Sequence, residues 1–217
     1  MDPLSQLFKK YGSDKGGEHL SFGRSDTCHN YGVTYHDIFK DRRHQVRHVL
    51  EIGIAHGSSL RAWRDYFPNA EIVGIDIDER CLFQEERIRC YQAHQGNALD
   101  LHRAMHEVRY GPFDLVVDDG SHEPADQIFS ARKLLRFLMP DGLYVIEDIE
   151  PDCRPELIGE PVVDDCCTFE WQAMPTGHGI GRAHCQCGCD QGEQLVVFKR
   201  RGDLDGWEAE SLRRFSS

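Results

Sequence analysis

The 217-residue sequence predicts an α/β fold, a mostly parallel sheet with helices on both faces. Three observations carry that expectation. Between Val46 and Ile149, short apolar runs alternate with amphipathic stretches, the rhythm of successive β-α units. Runs such as Leu115-Val116-Val117 are continuously apolar, which marks strands buried on both faces. Each run also ends on an acidic or amide residue, so the strand ends deliver polar side chains to one rim.

The elements follow in order. Residues 1–45 read as an N-terminal extension or lid with one or two helices. VRHVLEIGI (46–54) is a strand ending at a glycine turn, and SSLRAWRDYF (58–67) is a helix with Leu60, Trp63 and Phe67 on one face. EIVGIDI (71–77) is the second strand, ERCLFQEERI (79–88) a helix, and RCYQAHQGN (89–97) a third strand with its exit. ALDLHRAMHEV (98–108) is helical and FDLVVDD (113–119) is the fourth strand. DQIFSARKLLRFL (126–138) is a helix stopping before Pro140, and GLYVIEDI (142–149) is the fifth strand. The catalytic domain is expected to run over 46–200, with a variable Cys-rich region at 151–193 and a tail at 201–217. Within it EQLVVFKR (193–200) is a last strand, with CTFEWQA (167–173) as its partner.

Composition excludes several functions. No run approaches the roughly 18–20 apolar residues that cross a bilayer, and the N-terminus lacks a signal-like apolar segment, so a cytoplasmic enzyme without a membrane partner is expected. A net charge of −12 works against a nucleic-acid partner and suits small molecules and divalent cations. Nine cysteines, an odd number, argue against a disulfide framework. Six lie between Cys153 and Cys189, and with His178 and His184 they offer zinc-ligand chemistry. The Cys185-Cys187-Cys189 spacing is not that of a zinc knuckle, so unliganded thiols are favoured over a structural zinc.

Two constellations carry chemistry. Glu51-x-Gly53-x-x-x-Gly57 allows a tight turn and a close ligand approach, but lacks the middle glycine of a pyrophosphate grip. An acid beside those glycines repels a pyrophosphate and suits an ammonium. Asp76, nineteen residues after Gly57, is placed for the hydroxyls of a ribose. An adenosine bearing a charged amino acid satisfies both, which disfavours the rival reading of a nucleotide-dependent oxidoreductase. The second constellation is Asp119 with Glu147 and Asp148, at the ends of neighbouring strands. Three carboxylates on one rim call for a hard cation such as magnesium; capping of the following helices is the plainer alternative. His122, three residues beyond Asp119, is placed as a general base.

VLEIGIAHGSSLRAW, EIVGIDID, FDLVVDDGSH and GLYVIEDIE together resemble the Rossmann-like class I methyltransferases. They are most similar to the metal-dependent sugar O-methyltransferases that tailor macrolides and aminocoumarins. KYGSDKG and HNYGVTYHDIF resemble the segment before the core in that group, so the resemblance covers roughly residues 8–150. It implies S-adenosylmethionine as cofactor and a magnesium ion on Asp119, Glu147 and Asp148, with His122 as base. It places Glu51 and Gly53 at the methionine portion, Asp76 at the ribose and Asn97 at the adenine edge. Gly57, Ser58 and Asp118 complete the cofactor loops, and Tyr11, Ser13 and Lys15 close over the cofactor. The group more often has Asp where Asn97 stands. The acceptor implied is a sugar hydroxyl of a glycosylated natural product. A catechol-like phenol, or a non-catalytic protein on a degenerate methyltransferase fold, is the alternative. Relatives form higher assemblies, and the N-terminal segment could build a homo-oligomer here.

Overall fold

The computed structural model describes residues 1–16, 31–109, 111–149, 156–164, 169–175 and 194–200. The cysteine cluster and the tail lie outside them. Eight strands form one sheet in the order β3-β4-β2-β1-β5-β6-β8-β7. They are β1 (His48–Ile52), β2 (Glu71–Asp76), β3 (Gln84–Glu85), β4 (Ile88–Gln92), β5 (Phe113–Asp118), β6 (Leu138–Ile146), β7 (Phe169–Pro175) and β8 (Gln194–Arg200). The central five, β4-β2-β1-β5-β6, are parallel. β8 runs antiparallel to both β6 and β7, so the two late strands pair as the apolar pattern suggested. The chain winds outward from β1 through β2 to β4, then returns to β5 beside β1 and continues to β6. The carboxyl ends of β1 and β5 therefore flank the switch point of the sheet, where open α/β folds bind ligands.

Alternation along each strand divides the core into two layers. Val49, Leu115, Val117 and Val145 face α1 (Pro3–Tyr11), α2 (Tyr31–Phe39) and α3 (Ser58–Tyr66). Leu50, Ile52, Val116, Tyr144 and Ile146 face α4 (Ala98–Val108), α5 (Pro124–Leu134) and α6 (Glu156–Asp164). The first layer is aromatic. Phe8 and Tyr35 meet Trp63 edge-on at 4.9 and 5.0 Å, and Phe67 stacks on it at 5.8 Å. Leu4, Phe8, Tyr35 and Phe39 are wholly buried, so α1 and α2 are part of the helical layer. This packing brings the N-terminal segment to the strand ends.

Local chemistry explains the boundaries. The Asp2 carboxylate accepts from the Ser5 amide at 2.8 Å, Pro3 opens α1, and Gly12 closes it at a left-handed φ of 79°. Asn97 caps α4, accepting from the Leu99 and Asp100 amides at 2.9 and 3.2 Å.

The helix expected over 79–88 is corrected. That stretch is a 3₁₀ turn (Glu79–Cys81) followed by the β3–β4 hairpin, with Arg87 at φ 58° in its turn. Tertiary partners override helix propensity here. Glu85 takes up Arg61 at 2.7 Å and Arg64 at 3.1 Å on α3. The Arg87 guanidinium donates to the carbonyls of Arg64, Phe67 and Ala70, closing the end of the same helix. The strand ending the parallel set also begins earlier than expected and runs through Pro140.

Candidate active site

Five residues near the strand ends adopt left-handed backbone: Gly53 (φ 89°), Ala55 (45°), Gly57 (71°), His122 (61°) and Asp148 (47°). Such conformations cost energy for residues with a Cβ and gather at functional sites. At Gly53 the requirement is also steric, because a Cβ there would overlap the Asp119 carbonyl oxygen. This close approach lets the loops after β1 and β5 touch. Gly57 lies against the Phe83 ring, which leaves no room for a side chain, and Ser58 is the first residue of α3 behind it.

The groups after β1, β2 and β4 are satisfied locally. One Asp76 oxygen accepts from the Ile54 amide at 2.7 Å, and the other from Asp78 at 2.9 Å. Asp76 thus braces the glycine turn and keeps its remaining lone pairs toward the rim. Asn97, assigned above to an adenine edge, spends its carbonyl oxygen on the α4 cap.

The acids of β1, β5 and β6 are held from a distance. Glu51 is fully buried, and its Oε2 accepts from the Trp63 indole at 2.9 Å. Burial pushes its carboxyl up to about 7, against the pull of Lys15. Lys15 reaches in from the 3₁₀ turn Asp14–Gly16. Its ammonium donates to Glu147 and to Asp119 (2.5 Å), and lies 3.8 Å from Glu51. Burial opposes the charge on Lys15, but Asp119, Glu147 and Glu51 outweigh it and hold the ammonium well above the usual lysine range. From α2, Tyr35 donates to Glu147 at 2.6 Å and Tyr31 donates to Asp148. Three carboxylates thus surround one ammonium, Asp148 adds a fourth acid beside Asp119, and the excess of acidic groups invites a further cation.

Asp119, His122 and Asp148 offer that place. Each presents a ligand atom, and the three atoms lie within 4.8 Å of one another. Among the described residues this is the grouping with metal-holding geometry. The buried Nδ1 of His122 has no hydrogen-bond partner. Of the acids assigned to the metal above, Asp119 and Asp148 share this cluster, while Glu147 is fully buried and turned onto Lys15 and Tyr35.

Three other residues expected at the cofactor are engaged with the protein itself. Asp118 follows Val117 on β5 and so points into the opposite layer from Asp119's partner Lys15. It is wholly buried, and accepts from Gln95 (3.0 Å), Ser130 (2.7 Å) and Tyr144 (2.8 Å). It organises the site from behind and offers no exposed oxygen, as strand alternation dictates. Tyr11 spends its hydroxyl on Asp65 (2.5 Å) with Arg64 beside it, pinning α1 to α3. Ser13 is buried, its amide donating to the Phe8 carbonyl, and it shapes the turn that carries Lys15.

Tyr31, Tyr35 and Gln95 went unmarked at the level of sequence. The two tyrosines stand four residues apart on α2, a spacing that puts both hydroxyls on one helix face. Gln95 ties two loops, its oxygen accepting from Ser121 while its nitrogen donates to Asp118. Gln95 stands among His94, Gly96 and Asn97 at a strand exit, where a polar residue gives no periodic signal.

Residues 50–149 match a family described as a methyltransferase domain. The chain is 37% identical over 170 residues to the mycinamicin VI 2''-O-methyltransferase of Micromonospora griseorubida, covering 75% of this chain and 40% of that protein. It is 37% identical over 153 residues to the 8-demethyl-8-(2-methoxy-alpha-L-rhamnosyl)-tetracenomycin-C 3'-O-methyltransferase of Streptomyces olivaceus, covering 67% of this chain and 36% of that protein. The chain therefore spans about 40% of the length of the curated relatives it matches. Among solved structures it resembles MycE methyltransferase of the mycinamycin biosynthetic pathway, in complex with Mg, SAH and mycinamycin VI. That likeness has TM-score 0.63 and 31% identity, covering 95% of this chain and 57% of the other. The Podospora anserina methyltransferase PaMTH1, bound to SAH, shares the fold at TM-score 0.55 and 15% identity over 93% of this chain and 89% of its own. The sheet is that of the class I methyltransferase fold, its central stretch matches a methyltransferase domain, and the chain is similar to the sugar O-methyltransferases of macrolide and polyketide pathways.

Proposed function

We propose that the protein transfers a methyl group from S-adenosylmethionine to a hydroxyl on the sugar of a glycosylated natural product, with a magnesium ion at the acidic rim. The observation that carries this is the convergence of Asp119, His122 and Asp148 beside the glycine turn at the switch point. The donor set fits a divalent cation. Carboxylate oxygens suit magnesium or manganese, and the acids gathered at the rim need positive charge, which leaves the His122 imidazole beside the cation as a base. The relatives' names supply the acceptor class, and a net charge of −12 supports a small neutral or cationic acceptor over a nucleic acid.

When bound, the sulfonium supplies an electrophilic methyl group and the divalent cation lowers the pKa of a neighbouring hydroxyl. Asp119 and Asp148 would hold that cation, with Glu147 behind them. Gly53 and Gly57 let the backbone approach the cofactor closely, while Asp76 faces its ribose. Glu51, buried next to the turn, would stand behind its amino-acid portion. His122 takes the acceptor's proton at a ring nitrogen, the step for which an imidazole is suited near neutral pH. Alignment of acceptor and methyl group then provides much of the acceleration.

Calorimetry with S-adenosylhomocysteine, with magnesium and with chelator, tests the cofactor, using NADH as the control ligand. Binding of the homocysteine nucleoside alone is expected, followed by magnesium-dependent methylation of a glycosylated macrolide. Preference for NADH, or no binding in either condition, would end the methyltransferase assignment; binding without transfer to any sugar hydroxyl would end the acceptor assignment.

A further inference from the structure

Two sets of groups meet at Asp119. One is the ammonium set, in which Lys15 bonds Asp119 and Glu147 and lies 3.8 Å from Glu51. The other is the cluster of Asp119, His122 and Asp148. A carboxylate can serve both, but a divalent cation and an ammonium on the same carboxylate repel each other strongly away from bulk water. Lys15 is only 3% exposed, so solvent screens that repulsion little.

Besides Glu147, which it already bonds, the ammonium has one further carboxylate within reach. Glu51 Oε1 is buried and has no hydrogen-bond partner, and it is the third carboxylate oxygen around Lys15. The main chain of the turn is anchored: Ser13 donates to the Phe8 carbonyl at 2.9 Å and Gly16 to the Ser13 carbonyl at 3.3 Å. At Gly16 a Cβ would press on Lys9 and Ser5, so the turn is seated tightly under α1. The flexible part is the four-carbon side chain of Lys15, which can turn without moving that backbone.

We propose that Lys15 is the chain's own rival to the metal: it occupies Asp119 while the site is unloaded, and turns toward Glu51 when a divalent cation takes Asp119. The N-terminal turn thereby sets the affinity of the metal site, keeping the acids neutralised and the fold intact before loading. This rests on the metal-dependent reading above and adds to it the residue that tunes it.

Manganese binding, followed by electron paramagnetic resonance without cofactor or acceptor, tests the exchange. Lys15→Met should bind manganese roughly tenfold or more tightly than the wild type, since a competing charge is gone. A merely structural Lys15 would give weaker binding, because its carboxylate partners would lose their alignment. Glu51→Gln keeps Lys15 and should weaken binding severalfold, because the ammonium loses its alternative partner. In the Lys15→Met background the same Glu51→Gln change should have a much smaller effect. Equal or weaker binding by Lys15→Met overturns the exchange, as does an undiminished Glu51→Gln effect in the double variant. If Lys15→Met does not fold, unchanged affinity in Glu51→Gln alone overturns it. Uptake of manganese by none of the proteins overturns the metal reading itself, and the exchange with it.

Discussion

The two halves of the strand-end rim solve the same problem in opposite ways. After β1, β2 and β4, polar groups are satisfied by their own neighbourhood: Asp76 by the amides of Ile54 and Asp78, Asn97 by the first turn of α4. After β5 and β6, they are held by side chains 104 to 132 residues away, on Lys15, Tyr31 and Tyr35. The first half is a pre-shaped cradle, rigid because short loops and backbone amides define it. The second half is an electrostatic assembly, in which Asp119 and Glu147 share one ammonium with Glu51 of β1 and Asp148 lies close by. A ligand cradle and a tunable charge cluster sit side by side on one sheet.

The sharpest way to break this contrast is His122→Ala. If the second half performs the chemistry, turnover should fall about 10²- to 10⁴-fold, while affinity for S-adenosylhomocysteine stays within about twofold because the cradle is untouched. Steady-state kinetics and calorimetry on one preparation read both. Retained turnover would move the base elsewhere.

A smaller effect tests the support behind the second half. Burial pushes the Asp118 carboxyl up to about 6 from an ordinary value near 3.8, although Ser130, Tyr144 and Gln95 stabilise its charged form. The folded protein therefore keeps this proton at pH values where the unfolded chain has released it. The stability this group contributes is complete below about pH 4 and is lost as pH rises through about 6. Asp118→Asn has no such proton, so the wild type should lose up to roughly 3 kcal/mol relative to the variant between about pH 4 and 7. Urea unfolding at the two pH values measures it, and a constant difference would show that Asp118 is not held protonated.

The smallest change belongs to the cradle. Asn97→Ala removes the cap of α4 and should cost about 1 kcal/mol, read as a lower urea midpoint with an unchanged slope. Manganese affinity should not move, since the cap makes no contact with Asp119 or Asp148. A variant that lost metal binding instead would show that the two halves are coupled.

Much of the cradle was legible from residues alone. Glu51, Gly53, Gly57 and Asp76 are a local pattern, and the apolar rhythm placed β1, β2, β5 and β6 as well as α3 and α4. The stretch 79–88 was misjudged because its fate depends on Arg61, Arg64 and the end of α3, contacts that no propensity encodes. Tyr11 shows the same limit. Its hydroxyl donates to Asp65, across 54 positions, a bond that no local pattern reveals.

By itself, then, the sequence determined the layered α/β architecture, the acid-rich rim and which strand ends bear it, because strand alternation, turn chemistry and apolar periodicity act over a few residues. Tertiary structure alone decided how those acids divide. It turned Glu147 onto Lys15 and Tyr35, and left Asp119, His122 and Asp148 together. The charge state of a buried carboxylate depends on every group within a few ångströms, and here the nearest ones come from the far end of the chain.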